Sequence, residues 1–452
     1  MDHYQKYQTS FSGYPVRRPR LLLRPESYAG LGVTNPDCIA RGAGSHYGDA
    51  ALNQDGQLIL TERLNRFLNF DEQEGIISVE AGISLKKILD VIVSRGWFLP
   101  VTPGTSHVTL GGCVAADVHG KNHHHAGSLS QYVLALELIT AHGKRILCSP
   151  KVLPELFWAT IGGMGLTGII GTVMLKLKPI ENAYMLVQHQ ASDNLQEIFD
   201  LLLQKNSINE LGEYCVAWLD GLNSPVGQGI VICARHANAI DLSAQQRCEP
   251  FTLHPYKSYT LPFYLPNGLL HPTLVKVFNK YYHWRLHKKK SPFLLSYRDY
   301  FYPLDRLMYW PRLYGKRGFL QYQCVVPAES AYRVTEQILT TLATRKCPVY
   351  LAVLKRLGKE SLAPLSFALP GFTLALDLPF YSQDLLNCLD RIDTLVVAAG
   401  GRVYLAKDAR LRPEVFRNMY PRYNEWLAVK RSWDPENKFN SSLAKRLAMV
   451  NS

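Results

Sequence analysis

The sequence predicts an α+β chain in two unlike parts, and three observations carry that prediction. Residues 30–180 alternate short strand-like runs with helical ones. From about 185 to 402 aromatic residues become dense and the apolar runs take on strand length, which indicates a second domain built on an antiparallel sheet. From 403 to 452 the chain returns to mixed polarity with helical spacing.

The elements follow in order. IISVEAG (76–82) reads as a strand. Ser84 then caps a helix whose apolar residues Leu85, Ile88, Leu89, Ile92 and Val93 share one face, and Gly96 closes it. FLPV (98–101) reads as a further strand. LALELITA, HGK and RILCSP (134–150) read as a hairpin, and PELFWATIG (154–162) as a helix. In the second part YCVAWLDGL, GIVICAR, FLQYQCVV, PVYLAVLK and FTLALDLPF are the strand candidates, and PNGLLHPT (266–273) reads as an exposed loop. Helices are expected at PEVFRNMYP and through EWLAVKRSW.

Composition bounds the answer. The 452 residues are 47% hydrophobic and 19% charged, enough to bury a large core in two or three domains. The nine cysteines form no CxxC pair or metal spacing, so a disulfide framework and a metal site are not expected and a reducing compartment is favoured. The first 20 residues are polar and basic, without the apolar core of a secretory signal. Leu156 to Leu175 carries no charge over a bilayer-spanning length. Its five glycines and its alternating end read instead as a short helix, a tight turn and a buried strand.

The chemistry concentrates between Pro103 and Ser128. PGTSHVTLGGCVAADVHGKNHHHAGS holds five glycines and five histidines, with Asp117 and Lys121 its only formal charges. Glycine lets backbone N–H groups approach a ligand closely, and amides presented that way hold a pyrophosphate. His119, Lys121 and Asn122 are delivered to the same place. The plain structural reading is a turn cluster with surface histidines. A second glycine motif, Gly163-x-Gly165-x-x-Gly168, has the spacing of a dinucleotide fingerprint but the wrong context: a helical pattern precedes it, a strand pattern follows, and the nearest acid is Glu181.

A net charge of +13 admits phosphorylated, lipid or nucleic-acid partners. Lys276 to Lys290 reads KVFNKYYHWRLHKKK, a mixture of cations and rings that suits a membrane interface or, more plainly, a solvated basic helix. No RNA-binding or helix-turn-helix signature accompanies it, so nucleic acid is not an expected partner.

Together the Gly/His loop, GAGSHYGDAALN (42–53), PELFWATIGGMGLTGII (154–170), FLQYQ (319–323) and YLAKDAR (404–410) resemble the vanillyl-alcohol-oxidase-type FAD-binding oxidoreductases, and within them the decaprenylphosphoryl-β-D-ribose 2′-oxidases. The resemblance runs nearly end to end. It implies a two-subdomain FAD-binding domain (1–184), an antiparallel-sheet substrate domain (185–402) and a C-terminal segment (403–452) that returns to the first domain. It implies non-covalent FAD, because the usual histidine attachment position falls on Ser45 while the histidine here is His46. FAD contacts map to Gly42, Gly44, Tyr47, Gly48, Pro103, Gly104, Thr105, Gly111, Gly112, His119, Gly120, Asn122, Gly127 and Ile170. Lys407 matches a lysine beside the isoalloxazine, where a cation balances the charge of the reduced flavin. Lys121, Trp218, Gln321, Gln323 and Lys355 match positions lining the substrate cavity.

Two departures stand out. Ala375 and Thr373 occupy places where the best-known relatives carry a cysteine and an asparagine, and Phe301 stands where a tyrosine is usual, with Tyr302 beside it. The resemblance implies hydride removal from a secondary alcohol of a polyprenyl-phosphate-linked sugar, leaving a ketone for a short-chain reductase. His119, Lys121 and Tyr47 are the candidate bases by type, unranked by sequence. It also implies a cytoplasmic protein peripheral at the inner face of the membrane. The rival readings are a soluble aldonolactone or alditol oxidase and a non-catalytic basic protein binding membrane or nucleic acid.

Overall fold

A computed structural model of the chain describes residues 5–28, 31, 36–203, 212–222, 227–254, 257–288, 291–380 and 382–450. Two antiparallel sheets dominate it. The first has five strands in the order Phe67–Asp71, Ile76–Glu80, Ile169–Lys176, Val133–Ile139, Arg145–Cys148. The second has eight, in the order Phe293–Ser296, Tyr184–Ser192, Gly229–His236, Tyr214–Leu219, Leu351–Leu357, Gly371–Pro379, Phe319–Pro327, Arg402–Val403. A small parallel sheet, Leu21–Leu23, Gln57–Leu60 and Cys38–Arg41, lies outside both.

Local signals did what the physics asks of them. Ser84 accepts from the Lys87 amide at the start of helix Leu85–Ile92, whose buried face is Leu85, Ile88, Leu89 and Ile92. Gly96 ends the following turn at φ 79°, where only glycine is unstrained. The 134–150 hairpin forms as Val133–Ile139 with Arg145–Cys148. The strand expected at 98–101 shrinks to Trp97–Phe98.

The uncharged 156–175 run is helix Pro154–Thr160, a glycine turn and strand Ile169–Lys176. Among the described residues no helix is long and apolar enough to cross a membrane. The glycine motif within this run serves packing. A side chain on Gly163 would meet the Ala159 carbonyl at 2.2 Å, and that carbonyl accepts from Trp426 Nε1 at 3.1 Å, so the C-terminal helix Tyr423–Trp433 docks here.

The C-terminal segment is bonded to the start of the chain. Phe439 bridges to Cys38, Asn440 N donates to the Cys38 carbonyl at 2.9 Å, and the Arg446 guanidinium is shared by Asp49 and Asp408. One cysteine expectation is corrected. Cys215 and Cys233 stand directly opposite each other on adjacent strands and form a disulfide; the other seven cysteines are free. Their separation of 18 residues hid a pairing that only strand register reveals.

Candidate active site

One face of the eight-stranded sheet carries the polar residues. Side chains alternate along strands, and residues opposite each other in register share a face. Gln321 pairs with Asp377, Gln323 with Ala375, Ala375 with Val353, and Lys355 with Thr373. Trp218, opposite Val353, extends the same face outward. The substrate-cavity residues named from sequence on this sheet therefore lie side by side. They are joined by Asp377, which sequence analysis missed. Its signal was present in GFTLALDLP, where Asp377 follows Ala375 by two residues.

The face meets the Gly/His loop at His119. The buried Gln323 amide, in its assigned orientation, donates to Thr373 Oγ1 and to His119 Nε2, each at 2.9 Å. With Nε2 accepting, His119 carries its proton on Nδ1, which is buried and has no protein partner. Burial first, then Lys355, His123 and Lys407, hold this imidazole well below its ordinary pKa, so it is neutral and presents an N–H.

Tyr47 and Lys407 arrive from the other side. The Tyr47 amide donates to the Ala406 carbonyl at 3.1 Å, and Lys407 Nζ lies 5.4 Å from the Tyr47 ring centroid. A side chain on Gly48 would strike the Asp408 carbonyl at 1.6 Å, so only glycine permits this approach. Lys407 is half-buried in the helical turn Leu405–Lys407. Gln321 Nε2 donates to Asp377 Oδ1 at 2.5 Å. Burial raises Asp377 to about 6, while Gln321 and then Lys407 pull it down. Burial and Asp377 push the Tyr47 phenol above its ordinary value.

Three lysines converge here. Lys121 Nζ donates to the Tyr300 carbonyl at 2.6 Å and sits 4.0 Å from the Tyr300 ring centroid. Burial and then Lys355 lower Lys121 to about 7. Burial lowers Lys355 to about 8. Burial and Lys355 lower Lys407 to about 7, against the pull of Asp377. Phe301 packs in the core, its ring 5.3 Å from Phe98 and 4.9 Å from Tyr214, while the Tyr302 hydroxyl bonds Thr102 Oγ1 at 2.6 Å.

The glycine loops fit a cofactor. Gly104 faces open space, with nothing within 4 Å of where its side chain would begin. Its loop of Pro103, Gly104 and Thr105 is anchored by Ser106, whose amide and hydroxyl donate to Asp305 at 2.8 and 2.7 Å. Gly42 packs on Thr109, which caps the turn at Gly112; Gly44 packs on Arg41, and Gly111 on Ala81. Gly120 approaches Asn122 Oδ1, and Gly127 takes φ 69°. Among the described residues, four buried side-chain atoms in this region lack partners: His119 Nδ1, Asn122 Oδ1, His124 Nδ1 and Gln321 Oε1. Such atoms are costly to bury unless a ligand satisfies them. Ile170 is buried in strand Ile169–Lys176, in the same apolar cluster as Leu110, Cys113 and Val114 of the Gly/His segment. His46 is occupied at both ring nitrogens, by Arg41 at 2.9 Å and by the Gly48 carbonyl at 2.8 Å.

Comparison with known proteins gives the family. Residues 34–149 match a family model described as an FAD binding domain, and residues 316–447 match one described as D-arabinono-1,4-lactone oxidase. The chain is 35% identical to decaprenylphosphoryl-beta-D-ribose oxidase of Mycolicibacterium smegmatis over 95% of its length and 92% of that protein. It is 33% identical to an uncharacterised Streptomyces coelicolor protein over 81% of its length and all of that protein. It is 25% identical to mouse L-gulonolactone oxidase over 89% of its length and 88% of that protein. The chain is an FAD-dependent oxidoreductase of the vanillyl-alcohol-oxidase type and belongs to the family of the decaprenylphosphoryl-β-D-ribose oxidases.

Proposed function

We propose that this enzyme oxidises the ribose 2-hydroxyl of a polyprenyl-phosphate-linked ribose to a ketone. The observation that carries the reading is the group of half-buried lysines, Lys121 from the Gly/His loop, Lys355 from the sheet face and Lys407 from its helical turn, each lowered chiefly by burial, with Asp377 the acid among them. Crowding cationic side chains into a partly desolvated cleft is costly, and a substrate phosphate beside Lys355 and Lys407 would offset that cost. A free lactone or alditol offers none.

Residues 1–184 with 403–452 would hold FAD through the loops at 42–48 and 103–127, and residues 185–402 would supply the substrate face. When bound, FAD supplies the acceptor for the hydride leaving the carbinol carbon. The hydroxyl proton leaves separately. Of the three base candidates, Tyr47 is held too basic to exist as phenolate, and His119 presents a donor. Lys121, lowered to about 7, takes the proton. Lys407 provides a cation and Asp377, through Gln321, positions the sheet side of the cavity. The occupied His46 ring supports non-covalent FAD. The ketone suits a separate reductase, and a lipid-linked substrate suits an enzyme that works at a membrane surface.

The match of residues 316–447 to an aldonolactone oxidase model favours a second reading, a soluble lactone oxidase. Steady-state assays with a short-chain prenylphosphoryl ribose and with free sugar lactones separate the two. Turnover of the phosphorylated sugar at a kcat/KM at least about a hundredfold higher supports the first reading; preference for the lactone overturns it.

A further inference from the structure

We propose that helix Pro272–Lys288 is a docking face for the anionic surface of a lipid bilayer. Part of this proposal, the delivery of substrate, rests on the reading above. The helix has two apolar faces with different fates. Its inner face packs on the eight-stranded sheet: Val275 and Asn279 are buried, Asn279 Nδ2 donates to Asp220 Oδ1 at 2.8 Å, and the Tyr282 ring lies 5.2 Å from Trp218. The Leu286 carbonyl bonds His189 at 2.5 Å.

Its outer face is not the polar surface of a solvated helix. Leu274, Val277, Phe278, Tyr281 and Trp284 are 58%, 63%, 60%, 53% and 54% exposed. At about 100° per residue they fall within one arc about 120° wide. Lys276 and Lys280 line one side of that arc, Arg285 and Lys288 lie within it at its C-terminal end, and all four are exposed. Lys288 Nζ lies 4.5 Å from the Trp284 ring centroid. Lys289 and Lys290 lie outside the described residues. A single apolar arc edged by cations matches a helix lying in a membrane interface, rings among head groups and cations on lipid phosphates.

Charge decides the occupant. Between Glu249 and Asp299, residues 250–298 contain eight lysines and arginines and no acid. A second copy of the chain docked symmetrically on this face would oppose cations with cations. Nucleic acid would need a cationic surface running along the whole face, whereas Leu274, Val277, Phe278 and Tyr281 cover its N-terminal three turns. An anionic lipid surface satisfies both features. The helix also forms a wall beside Trp218, at the outer end of the polar sheet face, so docking there would bring a bilayer-anchored substrate to the cavity without extracting its tail.

The test is co-sedimentation of the flavin-loaded enzyme with phosphatidylglycerol-containing and with pure phosphatidylcholine vesicles. Partition onto the anionic vesicles is expected to exceed that onto neutral ones by at least about tenfold and to fall with salt. The double variants Tyr281→Ser/Trp284→Ser and Lys276→Glu/Lys280→Glu should each weaken it by at least about tenfold, with flavin absorbance unchanged. Turnover of a water-soluble short-chain prenylphosphoryl ribose should be unaffected by either pair. Equal partition onto both vesicles, none onto either, or wild-type binding by both variants overturns the proposal. So does sedimentation equilibrium showing a dimer that Tyr281→Ser/Trp284→Ser abolishes while vesicle binding persists. If wild type docks as expected yet oxidises no prenylphosphoryl sugar, the docking face stands and the substrate reading falls.

Discussion

Lys355→Met removes the cation that links the others. Lys355 contributes to the lowering of Lys121, Lys407 and His119, second only to burial at each. Methionine keeps the length and apolar character of the stem, so the sheet should fold. A buried hydrogen bond from an ammonium to phosphate is worth about 1.5–3 kcal/mol, so KM for a prenylphosphoryl ribose should rise about 10- to 150-fold. The pH profile should move as well. Lys355 is a like charge that lowers both of its neighbours, so its removal raises both. Without Lys355, Lys121 and Lys407 each bind protons more tightly. The rising limb, set by neutral Lys121, and the falling limb, set by charged Lys407, both shift to higher pH. The assay is kcat/KM from pH 5.5 to 9.5 on flavin-loaded wild type and variant. An unchanged KM together with unmoved limbs would refute the lysine group as the phosphate site.

Other expectations are direct. Lys407→Ala should keep its fold and lose FAD or about 10²–10³ in turnover; full flavin content with near-normal kcat removes Lys407 from the site. Inhibitors that act by bonding the relatives' cysteine should fail to inactivate irreversibly, because Ala375 offers no thiolate. A mass adduct in Gly371–Pro379 contradicts that. Flavin-free protein should melt at higher temperature at pH 9 than at pH 7. Unfolded lysines hold protons up to about 10.5, whereas folded Lys121, Lys355 and Lys407 release them near 7–8. The unfolded state therefore binds more protons across that window, and stability rises with pH. The depressed Lys178 adds in the same sense. Lys355→Met should flatten the slope, and a wild-type melting temperature that falls from pH 7 to 9 would contradict the burial of these groups.

Much of the fold was legible because its signals are local. Ser84 and Gly96 bracket a helix by capping chemistry, and the 134–150 hairpin alternates visibly. The small parallel sheet was not legible, since strands of three or four residues carry too little periodicity. The glycine and histidine loop announced itself through composition. Asp377 did not, because a lone acid in a strand becomes informative only when register sets it beside Gln321. Helix Pro272–Lys288 was legible only as a basic, ring-rich helix. Two apolar faces cancel in the sequence pattern, and only packing against Trp218 tells the inner from the outer.

The central claim is that FAD on this chain accepts hydride from C2 of a phosphate-linked ribose. Anaerobic mixing of the flavin-loaded enzyme with prenylphosphoryl ribose, unlabelled and deuterated at C2, tests it in a single turnover. The expected result is bleaching of the oxidised flavin band, slowed by the deuterium, with stoichiometric formation of a product lacking the label and carrying a ketone at C2. Bleaching by a free sugar lactone but not by the phosphorylated ribose, or bleaching without loss of the C2 label, would contradict it.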